Sequence, residues 1–311
     1  MQFRCCFARP AAIGFNYHKM QKPTIIISGK NGQLGNELQD AALLFPQFHY
    51  RFFGKDELDI ANAESFEKLF KKYKPSCFIN TAAYTAVDKA ETEQEAAYLI
   101  NAEAIGIIAK TCKFYNTKLI HISTDYVFDG KGNEPYKEDD KTNPVNYYGY
   151  TKWMGEQLAL ENNPQTIVIR TSWVYSVYGN NFVKTMLRLM KDRRELNVVK
   201  DQFGSPTYAK DLAETILKII ANTQQSNGNT QSKSGVYHYS NEGAISWCDF
   251  ATAIRDIKKF GCTVNGITTV QYPTPAKRPA YAVMNKEKIH TAFNIEIKDW
   301  KQSLQECLGK L

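Results

Sequence analysis

The sequence predicts an α/β protein built on a doubly wound parallel sheet. Short runs of β-branched and aromatic residues, such as TIIIS at 24–28, alternate with helical patterns of ten or more residues. This alternation is typical of parallel strands that are connected by helices. The first strand is followed directly by GKNGQLG at 29–35, where glycines open a helical pattern. The fold is therefore expected to be Rossmann-type, with a ligand crevice at the carboxyl ends of the strands.

The elements follow in a regular order up to about residue 175. We expect strands at 24–28, 48–53, 76–84, 117–123 and 165–175, and helices from Leu34, at 61–75, at 91–115 and around Tyr148. Beyond that point the pattern loosens, with helices at 181–194, 208–222 and near 246–260, a strand at 236–240 and a polar segment at 223–235. We expect a first domain at 20–175 and a smaller C-terminal α+β lobe at 176–311, with segments near 195–222 and 236–240 returning to the first domain.

Composition and charge exclude several classes of protein. The net charge of the 311 residues is +7, but residues 1–22 hold four basic residues and no acid, which leaves 7 − 4 = +3 for the remainder. No basic stripe with interleaved aromatic residues is present, so nucleic acid is not an expected partner. No apolar run approaches the ~18 residues of a membrane helix. The seven scattered cysteines fit reduced thiols in the cytoplasm better than a zinc site or a disulfide framework.

The first 19 residues are expected to lie outside the fold. They contain basic residues and no acid, and they lack a convincing signal-peptide core. Met20 directly precedes QKPTIIISGK, where the first strand begins. Translation from Met20 would give a chain that begins at the fold.

Gly29, Gly32 and Gly35 form G-x-x-G-x-x-G between the first strand and the first helix. Glycines at such a turn let the backbone approach a pyrophosphate, which the positive end of the helix attracts. Three glycines alone could mark a tight turn without a ligand, but their position between a strand and a helix favours a dinucleotide.

The tip of the second strand bears on the choice of dinucleotide. In Rossmann-type folds that bind NADH, an Asp or Glu at this position usually binds the adenosine 2′-hydroxyl. Here the tip reads Phe53-Gly54-Lys55, with a cation and no acid, although Asp56 is close. The pattern favours NADPH, with NADH possible.

Two groups of polar residues carry the candidate chemistry. Tyr148 and Lys152 are four positions apart in NYYGYTKWMGEQLA at 146–159, which places them on one face of a helix. A lysine beside a phenol lowers the pKa of that phenol toward neutrality, as suits a general acid or base.

Thr124 and Asp125 follow the fourth strand, at the edge of the sheet where ligands bind. Trp173 is either a platform for a sugar ring or part of the core.

In this order, these motifs resemble those of the extended short-chain dehydrogenases/reductases, and more narrowly those of the dTDP-4-dehydrorhamnose reductases. The segments that carry the resemblance span residues 24 to about 290 and read GKNGQLGNEL, NTAAYTAVDKAE, HISTDYVFDG, NPVNYYGYTKWMGE, RTSWVY, DQFGSPTYAKDLA and KRPAYAVMNKEK.

The resemblance implies a role for each matching position. The catalytic residues would be Thr124, Tyr148 and Lys152, and the substrate contacts Thr124, Asp125 and Trp173. The cofactor contacts would be Gly29, Gly32, Gln33, Leu34, Gly35, Asp59, Ile60, Ala83, Tyr84, Thr85, Tyr148 and Lys152. Some relatives are described as magnesium-bridged dimers, but only Glu37 matches their acidic residues, so we expect no metal and regard a homodimer as possible.

The implied reaction is NAD(P)H-dependent reduction of the C4 keto group of a nucleotide-linked 4-keto-6-deoxy sugar, with dTDP-4-dehydro-L-rhamnose as the expected substrate. Residues 176–311 would form mainly the substrate-binding lobe. A dehydratase is disfavoured because Asp125 is followed by Tyr126 rather than by a glutamate. A nucleotide-sugar epimerase and a non-catalytic, dinucleotide-binding regulatory subunit remain as alternatives.

Overall fold

A computed structural model describes residues 22–224 and 233–311 of the chain. The extension expected at 1–19 and most of the polar segment at 223–235 lie outside these residues. The strands are β1 (Thr24–Ser28), β2 (His49–Phe53), β3 (Cys77–Asn80), β4 (Lys118–Thr124), β5 (Ile167–Thr171), β6 (Val174–Tyr175), β7 (Glu195–Val199), β8 (Phe203–Gly204), β9 (Thr207–Tyr208), β10 (Gly235–His238), β11 (Ile245–Ser246) and β12 (Thr263–Ile267). The helices are α1 (Gln33–Ala41), α2 (Ala63–Tyr73), α3 (Val87–Ala90), α4 (Gln94–Tyr98), α5 (Ala104–Phe114), α6 (Tyr147–Asn162), α7 (Phe182–Asp192), α8 (Ala209–Gln224), α9 (Trp247–Lys258), α10 (Glu287–Phe293) and α11 (Trp300–Gly309).

Six parallel strands form the central sheet, in the order β10-β5-β4-β3-β1-β2. The predicted doubly wound, Rossmann-type fold is confirmed. The chain passes from β1 to β2 on one side and then to β3 on the other. In such sheets the ligand crevice opens at this reversal, outside the carboxyl ends of the strands.

The side chains of β1 pack against helices on both faces of the sheet. Successive side chains point to opposite faces of a strand. Ile25 and Ile27 join the apolar cluster that contains residues of α1 and α8, whereas Ile26 joins the one that contains residues of α2 and α5. A strand that is buried on both faces reads as a continuous apolar run, as TIIIS does.

Segments from beyond residue 176 complete this first sheet. β10 pairs in parallel with β5, and Leu212 and Ile216 of α8 pack in the same cluster as Ile25. A separate cluster brings together residues of α7, α9, α11 and β7. The domain boundary expected near residue 175 stays a prediction.

Two expected elements are interrupted. The helix expected at 91–115 begins as α4 and continues into α5 through a π-helical turn at Leu99–Glu103. The strand expected at 165–175 divides into β5 and β6 because Trp173 has a left-handed backbone, with φ of +47°. Both interruptions lie beside candidate site residues, as π-helical turns and strained backbone often do. Within the described ranges, no helix is long and apolar enough to cross a membrane.

Candidate active site

The turn after β1 has the geometry of a pyrophosphate site. Gly29 has φ of +83°, and a Cβ atom there would lie 2.6 Å from the Thr81 hydroxyl oxygen. Gly32 precedes α1, whose first N–H groups have no side-chain cap. A Cβ atom on Gly35 would overlap the Gly29 carbonyl oxygen and lie 2.8 Å from the Cα of Lys30. The turn therefore brings backbone N–H groups and the positive end of a helix into the crevice, where they fit a phosphate.

Gln33 and Leu34, expected at the pyrophosphate, follow this turn, and Asp59 and Ile60, expected beside the adenine, follow β2. Leu34 and Ile60 are buried, and Asp59 is exposed. The Asp59 carboxylate accepts a hydrogen bond of 3.0 Å from the N–H two residues further on. The Gln33 side chain accepts a hydrogen bond of 2.9 Å from Asn181. The Gln33 amide nitrogen donates to the Val174 carbonyl oxygen at 3.4 Å, so both ends of the side-chain amide are engaged and the backbone is left to face a phosphate.

The loop at 83–85, which follows β3, is held by a buried asparagine that the sequence analysis missed. Asn101 accepts a hydrogen bond from the Tyr84 N–H at 2.9 Å and donates one to the Tyr84 carbonyl oxygen at 3.0 Å. It also donates to the Thr151 hydroxyl of α6 at 3.1 Å. The Tyr84 hydroxyl donates to Glu93 at 2.7 Å. A lone asparagine in the apolar helical pattern YLINAEAIG was the available signal.

Thr124 and Asp125 lie at the carboxyl end of β4 and are both buried. The Thr124 hydroxyl donates to the Asp125 carboxylate at 2.9 Å and accepts a hydrogen bond from the Tyr126 N–H at 3.2 Å. Burial raises the pKa of Asp125 to about 7, while the bond from Thr124 acts in the opposite direction. The second carboxylate oxygen of Asp125 is buried and has no partner within the described residues.

Tyr148 belongs to the first turn of α6, which the Asn146 side chain caps by accepting a hydrogen bond from the Gly149 N–H at 2.7 Å. The phenol is half-buried and meets the Tyr126 ring edge-on, with 5.7 Å between the ring centroids. Burial raises the pKa of Tyr148 to about 12; a hydrogen bond with Thr124 opposes this shift, and the charge of Asp125 adds to it. The phenol therefore stays protonated at neutral pH.

Lys152 lies one helical turn further along α6 and is 2% exposed. Its ammonium group donates to the carbonyl oxygen of Ile122 in β4 at 2.6 Å. Burial lowers the pKa of Lys152 to about 8, and the Glu156 carboxylate acts in the opposite direction. Lys152 is directed at β4 and burial dominates the pKa of the phenol, so the expectation that Lys152 lowers the Tyr148 pKa stays a prediction. All the same, Thr124, Tyr148 and Lys152 converge at the end of β4.

The neighbouring tyrosines of α6 face away from this point. Tyr147 and Tyr150 pack on each other, with ring centroids 5.7 Å apart, and Tyr150 also packs on Tyr98 and Trp153. Tyr148 is therefore the tyrosine of this run that faces Thr124.

Trp173 is half-buried beside β6. Its ring stacks on Trp247 with a centroid distance of 3.6 Å and an interplanar angle of 12°. A Cβ atom on Gly204 would lie 2.7 Å from the indole. One face of the indole is thus used in packing, and the expected contact of Trp173 with substrate stays a prediction.

Within residues 22–224 and 233–311, no group of three or more His, Cys, Asp or Glu side chains lies close enough together to hold a metal ion. In the described chain, Glu37 is buried and receives a hydrogen bond of 2.5 Å from Ser176.

Comparisons with known proteins agree with this geometry. The sequence model of a family described as the RmlD substrate binding domain matches residues 23–311. The dTDP-4-dehydrorhamnose reductase of Aggregatibacter actinomycetemcomitans is 43% identical over 289 residues, which cover 90% of this chain and 97% of that protein. This chain belongs to the dTDP-4-dehydrorhamnose reductase family.

Solved structures extend this match to the fold. A dTDP-4-dehydrorhamnose reductase from Bacillus anthracis, solved in complex with NADP, is 38% identical and superposes with a TM-score of 0.87, covering 94% of this chain and 100% of that chain. The UDP-glucose 4-epimerase of Thermus thermophilus, solved with NAD, has a TM-score of 0.75 at 16% identity, over 92% of this chain and 98% of that one, which shows the shared fold alone. The family resemblance predicted from the motifs is confirmed.

Proposed function

We propose that this member of the dTDP-4-dehydrorhamnose reductase family reduces the C4 keto group of dTDP-4-dehydro-L-rhamnose to give dTDP-L-rhamnose. The protein is an NAD(P)-dependent oxidoreductase, with NADPH as the expected cofactor and NADH as a possible one. The observation that carries the proposal is the Tyr148 phenol beside Thr124, at the crevice of a sheet that begins with a dinucleotide turn.

The residues present fit the cofactor. The glycine turn and the uncapped start of α1 would hold its pyrophosphate, and the loop at 83–85 with Lys152 would line its nicotinamide half. When bound, the cofactor supplies the hydride that C4 accepts.

The chain itself must supply a proton, because negative charge develops on the C4 oxygen as the keto group is reduced. A pKa of about 12 keeps Tyr148 protonated over the neutral range, so the phenol serves as the general acid. Thr124 stabilises the same oxygen through its hydroxyl. With Asp125 ionised, however, the Thr124 proton is directed to that carboxylate. Protonation of Asp125, whose pKa is raised to about 7, frees Thr124 to donate to substrate.

The alternative activities have less support. The two reductases described above are 43% and 38% identical to this chain, whereas the similar epimerase, at 16% identity, shares only the fold. In the structure Tyr126 packs against Tyr148, where a dehydratase would need a glutamate. Formation of a homodimer and a cytoplasmic location stay predictions.

The test is to follow the loss of NADPH and NADH absorbance with dTDP-4-dehydro-L-rhamnose and with its UDP counterpart. We expect stoichiometric oxidation of the added cofactor with the dTDP sugar. Absence of turnover with both sugars, from protein that binds dinucleotide, would overturn the reductase proposal. A tightly retained NAD that copurifies and is not consumed would favour an epimerase instead.

A further inference from the structure

Trp173 lies close to the strand end that carries Thr124. In the register of the sheet, Thr124 of β4 pairs with Thr171 of β5, and Trp173 follows two residues later. The backbone of Trp173 is left-handed, with φ of +47°, which is a rare conformation for a bulky side chain. Such strain persists only where the surrounding structure fixes it, and it clusters at functional sites. The neighbours of Trp173 therefore bear on its role.

Hydrogen bonds attach the strained backbone to the segment between β8 and β9. The Ser172 hydroxyl donates to the Ser205 carbonyl oxygen at 2.7 Å, and both side chains are buried. The Thr207 N–H donates to the Trp173 carbonyl oxygen at 3.3 Å. Because Ser205 follows β8 and Thr207 begins β9, the turn after β5 and residues 204–207 form one unit.

The indole of Trp173 stacks on Trp247, the first residue of α9. Ser246 and Asp249 form a capping box that fixes the start of this helix. Ile245, two residues before Trp247, pairs with Gly204 across the antiparallel strands β11 and β8. The stacking partner of Trp173 is thus held in a fixed position relative to Gly204.

Gly204 leaves room for the indole. The three heavy atoms nearest to a Cβ atom there would be Cε2, Cζ2 and Nε1 of Trp173, at 2.7 to 2.9 Å. The φ angle of Gly204 lies outside the left-handed range, so its backbone does not itself demand glycine. The glycine at this position is therefore explained by the ring of Trp173 alone.

An indole held in this way suits contact with a sugar ring. Trp173 is half-buried, so part of its ring stays accessible beyond the carboxyl end of β5. The faces of a sugar ring present C–H groups, and a 6-deoxy sugar also carries a methyl group in place of a hydroxymethyl group. A tryptophan offers a large, rigid apolar surface at a low cost in conformational entropy.

We propose that Trp247 and Gly204 are positioning residues that hold the Trp173 indole against the sugar ring of the substrate. Trp247 supports one face of the indole, and Gly204 provides the space that the ring occupies. The inference rests on the proposed function, which supplies the 4-keto-6-deoxy sugar as the ligand. Both residues act on binding of the sugar through Trp173, and neither acts on the dinucleotide.

The test measures KM and kcat for dTDP-4-dehydro-L-rhamnose at saturating NADPH, and dissociation constants of NADP⁺ and dTDP by titration calorimetry. Gly204→Ala and Trp247→Leu should each raise the KM about tenfold, as expected for loss of one aromatic contact. The kcat and the two dissociation constants should change by less than about twofold, because the contact is made in ground state and transition state alike. Trp247→Phe keeps a stacked ring and should bring the KM back to within about threefold of the wild type.

Matched controls separate positioning from general destabilisation. Trp300→Leu removes another tryptophan of the same apolar cluster, one whose ring meets Phe250, and Gly261→Ala adds a Cβ atom with no neighbour within 4 Å. Both should leave the KM within about twofold of the wild type. Thermal melting of every variant accompanies the kinetics, and Gly204→Ala with Trp247→Phe decides the matter if Trp247→Leu does not fold.

A double-mutant cycle tests whether the two residues act through Trp173. Trp173→Leu should itself raise the KM for the sugar nucleotide. In that background Gly204→Ala should add less than about twofold, because the indole that it displaces is already absent.

The outcomes separate this inference from the proposed function. An unchanged KM in Gly204→Ala and Trp247→Leu overturns the inference alone, and so does full additivity in the cycle. A loss of dTDP affinity as large as the rise in KM also overturns it, since the contact would then be with the nucleotide. Wild-type protein that binds dinucleotide but does not turn over the sugar overturns the proposed function, and this inference with it.

Discussion

Glu156 and Arg170 form an ion pair inside the protein. Glu156 of α6 accepts hydrogen bonds from the Arg170 guanidinium of β5 at 2.9 and 2.7 Å, and the side chains are 0% and 4% exposed, respectively. The pair ties the helix that carries Tyr148 to the central sheet. Removing one partner leaves an uncompensated charge in the interior.

We therefore expect Arg170→Leu to lower the free energy of unfolding by about 3–5 kcal/mol, measured by urea denaturation. The exposed pair of Glu64 and Lys68 provides the control. Glu64→Gln should leave the urea midpoint nearly unchanged. Equal effects of the two substitutions would show that the buried pair has no special role in stability.

Tyr148 is expected to be the proton donor. Tyr148→Phe removes one hydroxyl group and little volume, so the fold and dinucleotide binding should survive. The turnover number should fall by about 10²–10⁴-fold, the usual contribution of general acid catalysis. Tyr147→Phe is the matched control, because that ring packs on Tyr150 instead of facing Thr124. Comparable losses in the two variants would argue against the assignment.

Lys152 should make dinucleotide affinity depend on pH. Burial lowers its pKa to about 8, below the unperturbed value, so the ammonium is present below that pH and is lost as the pH rises through it. The affinity for NADP⁺ should therefore fall across this range. Lys152→Met should bind more weakly at neutral pH and show no such dependence. A dependence that persists in Lys152→Met would assign it to another group.

Gly35 should not tolerate a larger side chain. A Cβ atom there would overlap the Gly29 carbonyl oxygen, so Gly35→Ala must displace the turn. We expect a loss of about 1–3 kcal/mol in stability, as for other overpacked sites, together with weaker dinucleotide binding. Gly261→Ala is the control, because a Cβ atom there has no neighbour within 4 Å. Melting curves and calorimetric titrations of both variants test this prediction, which fails if Gly35→Ala matches the control.

The local sequence predicted the sheet and the principal site motifs because they depend on short-range signals. Apolar periodicity marked the strands, and fixed spacing marked Tyr148 with Lys152. Contacts between residues that are far apart in the sequence produce neither apolar periodicity nor a fixed spacing. The hydrogen bonds between Asn101 and Tyr84 join a π-helical turn to a loop at the end of a strand, and Glu57 folds back onto Gly54 beside Lys30 of another segment.

The pKa of Tyr148 likewise cannot be predicted from the local sequence. The four-residue spacing correctly predicts that Tyr148 and Lys152 lie on one helix, since both belong to α6. The lysine nevertheless bonds to the Ile122 carbonyl oxygen, and the burial of the phenol depends on packing that helical spacing does not encode.

The parallel pairing of β10 with β5 has a consequence for synthesis on the ribosome. The sixth strand of the sheet is made only when residues 235–238 have been translated, long after the other five. Until then the nascent chain exposes the open edge of β5, and the apolar surface that α8 later covers stays bare for part of that time. Open strand edges and bare apolar surface are templates for aggregation. A fragment that ends near residue 175 should therefore precipitate or recruit chaperones, and the emerging polypeptide should reach protease resistance only after β10 has left the exit tunnel.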